Sequence, residues 1–357
     1  MKLTDREWKP FAINTLFERF TPGKCSAVTH LEKSEYGIEY IGATNHNNGV
    51  LCYLAENEEN LKLVQDGNCI GFIKDGDGSA GYAIYKRESF VSTVNVIYGY
   101  ASWLNSLTGL FFVGAQDMIK HKYSHGYKRN MQHLKADHVM LPADDNGQPD
   151  YQFMADYERE LIQHKRARYS IYAQKQLDRI GDIADVEPLS KKQWDVFRID
   201  QLFDSITRPS ARSKNQYDNG DVPFIASSAI LNGAVKFCTP HVGEKLDESN
   251  CITVSPVDGS SFYQTTDFLG RGGGGSSIIM LRSSKINQYS GMFVARAIHN
   301  TTSKYQYGHM ATSNGITRDQ IMLPVNDKGE PDYDYMEQYI KNKMIQKYKK
   351  YLEYLGK

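Results

Sequence analysis

Cysteine is scarce in this 357-residue chain, and the five present (Cys25, Cys52, Cys69, Cys238 and Cys251) never stand in a Cys-x-x-Cys spacing. An odd count without that spacing argues against a disulfide framework and a zinc ribbon alike. Cys69 and Cys251 each follow an asparagine at matching places in the chain, which suits a small buried strand residue better than a ligand or nucleophile. No stretch approaches the roughly 20 apolar residues of a membrane span, and Met1-Lys-Leu-Thr-Asp-Arg-Glu lacks the apolar core of a signal peptide, so a cytoplasmic protein with no membrane partner is expected. An excess of one charge is missing too: 42 basic residues balance 42 acidic ones, and the bulk charge points to no polyanion.

What the chain does contain is a second copy of itself. Trp8-Lys-Pro-Phe11-Ala-Ile13-Asn-Thr-Leu16-Phe17 returns as Trp194-Asp-Val-Phe197-Arg-Ile199-Asp-Gln-Leu202-Phe203. Asn68-Cys69-Ile70 matches Asn250-Cys251-Ile252, Asp77-Gly78-Ser79 matches Asp258-Gly259-Ser260, and Lys122-Tyr123 with Gly126 matches Lys304-Tyr305 with Gly308. Met140-Leu-Pro142 leads through Asp145-Asn-Gly147-Gln-Pro149-Asp150-Tyr151, and Met322-Leu-Pro324 leads through Asp327-Lys-Gly329-Glu-Pro331-Asp332-Tyr333. The spacing is 186 residues from Trp8 to Trp194 and 182 from Met140 to Met322, a duplicated domain rather than a solenoid repeat.

Each copy opens with short strand-like segments, among them 38–41, 50–53, 69–73, 82–85 and 94–97 in the first, separated by turn formers such as Asn47-Asn48-Gly49. A helix-compatible stretch follows at 103–113. Each copy then ends in a long polar segment without proline or glycine, 151–180 and 333–355, where Asp150 and Asp332 are suited to cap a helix. Apolar positions recur along these segments at Phe153, Tyr157, Leu161, Ile171 and Leu177, and at Met336, Tyr339, Ile340, Met344, Tyr348, Tyr351 and Leu355. One stripe on a charged helix needs a partner, and the other helix is the economical one.

The expected fold is therefore α/β (α+β). Two similar strand-rich domains, 1–148 and 191–330, are each followed by a long helix, 149–182 and 331–357, with a linker at 183–190. The helices are expected to pair as an antiparallel coiled coil with pseudo-two-fold symmetry. At about 1.5 Å per residue the first helix spans roughly 45 Å, enough to set two units about one turn of duplex DNA apart.

The distribution of charge and amides picks out the surface that would meet such a duplex. Between 116 and 135 the chain carries Lys120, Lys122, Lys128, Arg129 and Lys135 against Asp117 alone, interleaved with histidines and tyrosines. Candidate DNA contacts fall in loops paired by repeat position. Lys122, Tyr123, His125, Lys128, Arg129 and Asn130 stand opposite Lys304, Tyr305, Tyr307, His309, Thr312 and Asn314; Asn45 and His46 opposite Ser227 and Ser228; Ser79 opposite Ser260. Arg208 and Arg212, in an acid-poor stretch of the second copy, and Arg271 complete the set. Lys122 and Lys304, present in both copies, suit phosphate anchoring. Arg129 and Asn130, which differ from Ala311 and Thr312, suit base reading.

Taken together, the Trp8 to Phe17 and Trp194 to Phe203 openings, the Leu141-Pro142 and Leu323-Pro324 exits and the two helices resemble the specificity subunits of type I and type IIB restriction-modification enzymes, over essentially the whole chain. The exits depart from the type I pattern, in which a second proline and a Glu-Gln pair follow, and look more like the BcgI branch of type IIB. The resemblance implies two target-recognition domains that read the two halves of an asymmetric double-stranded DNA site. It also implies helices that dock methyltransferase, or fused methyltransferase-nuclease, subunits, with no catalysis in the chain itself. S-adenosylmethionine, and magnesium for cleavage, are then expected in the partner.

Catalytic signals in the chain have plainer readings. Phe268-Leu-Gly270-Arg-Gly272 fits a methyltransferase glycine pattern, but the following Ser276-Ser-Ile-Ile-Met-Leu281 reads as a strand where the cofactor fold needs a helix, and no Asn-Pro-Pro-Tyr or Asp-Pro-Pro-Tyr occurs. The pairs Pro149-Asp150 and Pro331-Asp332 have no Glu-x-Lys strand after them, as a metal-dependent nuclease requires. His121 and His125 have helical metal spacing but no evident third ligand, so neither a metal nor a cofactor site is assigned.

Overall fold

Trp8 and Trp194 show why each copy opens as it does. Each indole donates to a carbonyl five residues upstream, Leu3 O at 2.8 Å and Leu189 O at 3.2 Å, and each ring stacks on a phenylalanine, Phe111 or Phe293. The tryptophans begin strands Trp8–Ala12 and Trp194–Arg198, which pair antiparallel with His138–Pro142 and Gln320–Pro324, the strands that leave each domain. First and last strands are thereby clasped in both copies. The computed structural model describes residues 1–25, 27–76, 78–124 and 126–356. The chain divides into two units, Met1–Tyr169 and Ser170–Lys357.

Strand order repeats from unit to unit. In the first, Arg19–Pro22, Val96–Tyr100, Cys69–Ile73 and Ala83–Lys86 form an antiparallel sheet in that order; in the second, Ser205–Thr207, Ile279–Arg282, Cys251–Val254 and Ser261–Gln264 do the same. Beside it lies a smaller mixed sheet. Ile38–Ile41 pairs antiparallel with Val50–Leu54 and parallel with Phe90–Ser92, just as Asn219–Ile225 pairs with Ala234–Cys238 and with Leu269–Gly270. The strand-rich α/β architecture read from the sequence is thus present twice. The expected helix at 103–113 runs instead over Ser106–Gln116, because Asn105 caps it and the Trp103 indole turns back to donate to Leu16 O at 2.7 Å. Its counterpart is Gln288–Thr302, capped by Asn287.

Packing explains residues whose identity recurs without an obvious motif. Asn68 and Asn250 take positive φ before their strands, and each side-chain oxygen accepts a tyrosine hydroxyl, Tyr85 at 2.8 Å and Tyr263 at 3.1 Å. Those rings lie flat on the helices at Gly109 and Gly291, where an added Cβ would stand 2.3 and 2.2 Å from a ring carbon. The cysteines beside the asparagines, Cys69 and Cys251, are fully buried, and burial pushes their thiols up to about 12 and about 11. Both are inert core residues, as their strand setting suggested.

The long helices are Tyr151–Ile180 and Tyr333–Leu355. Asp150 and Asp332 cap them, accepting from Phe153 N at 2.8 Å and Tyr335 N at 3.0 Å, and each carboxylate also holds a cation from the domain entrance, Arg6 at 2.8 Å or Lys192 at 2.7 Å. The first turns pack on their own domain cores: Met154 and Met336 are fully buried, Tyr157 meets Phe111 edge-on, and Tyr339 meets Phe293 likewise. Part of each stripe is therefore covered by its own domain, not by a second helix. Ile171 is 71 % exposed and does not belong to the buried face. Within the second unit, residues 170–180 lie against the second long helix. Leu177 and Ile180 pack with Ile340, Met344, Ile345 and Tyr348, Tyr172 meets Tyr348, and Asn342 bonds the Ala184 backbone in both directions. Positions rising along one segment meet positions falling along the other, so that contact is antiparallel.

Candidate nucleic-acid interface

In each unit the loops that differ in sequence converge. In the first, the Asn45 amide donates to Ser79 Oγ at 3.3 Å, Lys128 pairs with Asp75 at 2.5 Å, and the Arg129 amide donates to Lys74 O at 3.0 Å. The loops after strands 38–41 and 69–73 and the segment 117–130 thus share one end of the domain. In the second, Ser227 Oγ donates to Ser276 O at 3.4 Å, the Ala311 amide to Pro256 O at 2.9 Å, and Arg208 to both Ser277 O and Ala311 O, bringing together the corresponding three loops and the glycine segment. Loops from separate strands brought to one end of a rigid framework form a surface that can vary in sequence without disturbing the fold.

That framework is anchored by a residue pair absent from the sequence expectations. Asp137 and Asp319, almost fully buried, sit at the same repeat position. Lys122 reaches Asp137 at 2.7 Å and the Tyr123 hydroxyl donates to it at 2.6 Å; Lys304 reaches Asp319 at 2.6 Å and the Tyr305 hydroxyl donates at 2.7 Å. The backbone carbonyls of the two aspartates accept from Ile13 and Ile199 at 2.8 and 2.9 Å, tying the loop to the domain entrance. Burial, then the bond to the carboxylate, pushes both tyrosine hydroxyls well above the ordinary phenol range. The signal was available in the repeat itself, since Asp137 and Asp319 stand three residues before Met140 and Met322.

Several candidates are corrected by this geometry. Arg129 is not a base reader: its guanidinium is fully buried, bonded to Asp137 at 3.1 Å and Gln116 at 2.7 Å, and stacked near the Phe72 and Tyr123 rings. Burial pulls its pKa down against the pull of Asp137, and the carboxylate keeps it compensated. Tyr123 and Tyr305 are buried supports of the lysines. Ser79 and Ser260 are buried as well, Ser79 bonded to Asn45 and Ser260 placed by Asp258. Asn130 and Thr312 cap the short helices Met131–Ala136 and Ser313–Ile316, one role in two residue types that leaves both residues exposed at the surface. Arg212 is committed to Glu244 at 2.8 Å and Asp247 at 2.6 Å, and Arg208 to backbone carbonyls and Ser313.

Other candidates remain at the surface. Lys122 and Lys304 hold a buried carboxylate with half of each side chain still exposed; His46, Lys128, Tyr307, His309 and Asn314 are exposed, Tyr307 by 82 %. Asn45, Ser227, Ser228 and Arg271 are partly exposed. His125 and Asp77 lie outside the described residues. Among the described residues no group of three or more potential ligands is placed to hold a metal ion. The glycine segment runs from strand Leu269–Gly270 to strand Ile279–Arg282, with no helix after it, so the strand-to-helix turn of a methyltransferase cofactor site is not formed there. No helix among the described residues is long and apolar enough to cross a membrane.

Comparison with known proteins agrees with this duplication. The chain matches the type I restriction modification DNA specificity domain family twice, over residues 5–168 and 191–354. It is 24 % identical over 351 residues, 95 % of this chain and 96 % of the other, to the type II restriction enzyme specificity subunit S.BcgI of Heyndrickxia coagulans. Its fold is similar to that of a type I restriction-modification S subunit from M. genitalium, with a TM-score of 0.52, 12 % identity and coverage of 100 % of this chain and 94 % of that one. The chain therefore belongs to the family of type I restriction-modification DNA specificity domains, as a specificity subunit carrying two target-recognition domains in tandem.

Proposed function

We propose that the two domains hold the two halves of one asymmetric, bipartite DNA site, and that the long helices dock the methyltransferase or fused methyltransferase-nuclease subunits that act on it. The observation that carries this reading is that one framework, anchored on Asp137 and on Asp319, presents two sets of converging loops with different sequences. A framework used twice with different loops reads two different things. Lys122 and Lys304 supply sequence-independent phosphate contact, and the exposed polar groups around them supply discrimination of roughly 1–3 kcal/mol for each good base contact.

In this reading S-adenosylmethionine, and magnesium for cleavage, belong to the partner subunits, and the complex works in the cytoplasm on duplex DNA. The helices pair as an antiparallel coiled coil that sets the spacing between the half-sites; the antiparallel contact of residues 170–180 within the second unit supports that pairing. The similarity to S.BcgI and the Pro149-Asp150-Tyr151 and Pro331-Asp332-Tyr333 helix entrances support a type IIB complex. Co-expression with a methyltransferase subunit tests the proposal. Adenine methylation at one split sequence, present only when both chains are present, is the expected result; methylation by this chain alone would refute it.

A further inference from the structure

One connection in the second domain is longer than its counterpart in the first. In the first unit residues 93–95 join the parallel edge strand Phe90–Ser92 to Val96–Tyr100; in the second the corresponding connection is the longer glycine segment 271–278. Its base is fixed at both ends by arginines that sequence reasoning assigned to DNA. Arg212 pairs with Asp247, and Asp247 Oδ2 accepts the Gly270 amide at 2.9 Å. Arg208 donates to Ser277 O at 2.6 Å and Gly275 O at 3.4 Å, and to Ala311 O and Ser313 Oγ of the neighbouring loop. At Gly272 an added Cβ would lie 1.9 Å from Ser210 O, so only glycine lets the two segments meet.

Between these pins Gly273, Gly274 and Gly275 are exposed and carry no side chain, while Arg271 is held beside them by its bond to Ser276 O at 3.3 Å. A firmly based loop with a bare backbone at its tip allows unusually close approach of another backbone. Pre-organisation of its base removes the ordering cost that a free glycine loop would meet on binding. We infer that segment 271–277 rests on the sugar-phosphate backbone of the second half-site, that its tip requires glycine for that approach, and that Arg208 and Arg212 act as positioning residues for it. This inference rests on the proposed function above.

Gly275→Ala gives a clean test. The new Cβ meets only the Met310 terminal methyl, at 3.3 Å, and the backbone there is not left-handed, so the free protein accommodates it. The full chain and the variant are compared for thermal unfolding, for affinity towards a random-sequence duplex pool, and for the bases selected from that pool. The expected result is unchanged unfolding, affinity lower by about tenfold, and weakened base preference in one half-site only. Arg208→Lys, which keeps the charge but cannot span three carbonyls and a hydroxyl, is expected to weaken the same half-site. A parent chain that selects a two-part sequence, with Gly275→Ala indistinguishable from it, would overturn this inference alone. A parent chain that binds no duplex would sink the proposed function and this inference with it.

Discussion

The two copies solve one problem differently at the same place. In the first domain the buried Asp137 faces two cations, Lys122 and Arg129, and the Arg129 guanidinium fills the interior behind the loop. In the second, Lys304 is the one cation paired with Asp319 among the described residues, position 311 is alanine, and Arg208 enters from the loop after Ser205–Thr207 to hold the loop carbonyls and the glycine segment. The lysine, tyrosine and aspartate are common to both, whereas the arginine has moved. What the duplication preserves is the triad that orients the loop, and what it allows to drift is how the space behind it is filled. A difference between copies is therefore not by itself a sign of DNA reading, as Arg129 demonstrates.

That contrast can be broken at its centre. Asp137→Ala leaves the Arg129 guanidinium buried without a counter-charge, a loss of about 3–5 kcal/mol expected in denaturant unfolding of the first unit. Asp319→Ala strands a tyrosine hydroxyl while Lys304 returns to water, so about 1–3 kcal/mol is expected in the second. Equal losses in the two units would contradict the assignment of Arg129 to the core. Overpacking comes next. Gly109→Ala and Gly291→Ala push a methyl into the Tyr85 and Tyr263 rings, and each should cost about 1–3 kcal/mol, alike in both copies.

Binding effects follow. Lys122→Ala with Lys304→Ala should weaken binding to all duplex sequences together and flatten the salt dependence by about one ion per lysine, with base preference unchanged. Affinity and salt slope that do not move would remove both lysines from the interface. The smallest expected effect is alkaline. Tyr123 and Tyr305 have folded-state pKa values raised above the unfolded value near 10, so their contribution is fully present below about pH 10 and is lost as pH rises through the folded-state values. Unfolding measured from pH 8 to 11 should therefore show falling stability only at the upper end, and replacing either tyrosine with phenylalanine should reduce that fall.

The sequence made the architecture legible because its signals were local and occurred twice. The Asp150 and Asp332 caps, the Trp8 and Trp194 entrances and the Cys69 and Cys251 strands each carry a short-range pattern, and repetition separates such patterns from chance. The site was less legible. Whether Arg129 points outward or inward depends on Asp137, Gln116 and Phe72, which are remote from it or belong to other elements. Asn130 and Thr312 look divergent as letters yet do one job, since either side chain can accept the amide that begins a helix. Periodicity places Ile171 on the buried stripe, yet it is exposed for a related reason: a long amphipathic segment changes which neighbour covers it along its length, and a single periodicity does not describe that.

If one framework reads two unlike half-sites, the bases it selects must show it. Selection of binding sites by the full chain from a random-sequence duplex library tests it most directly. The expected selection is two short blocks of fixed bases, unlike each other and separated by an unspecified spacer of constant length; one continuous block, or two identical blocks, would rule out two unlike half-sites.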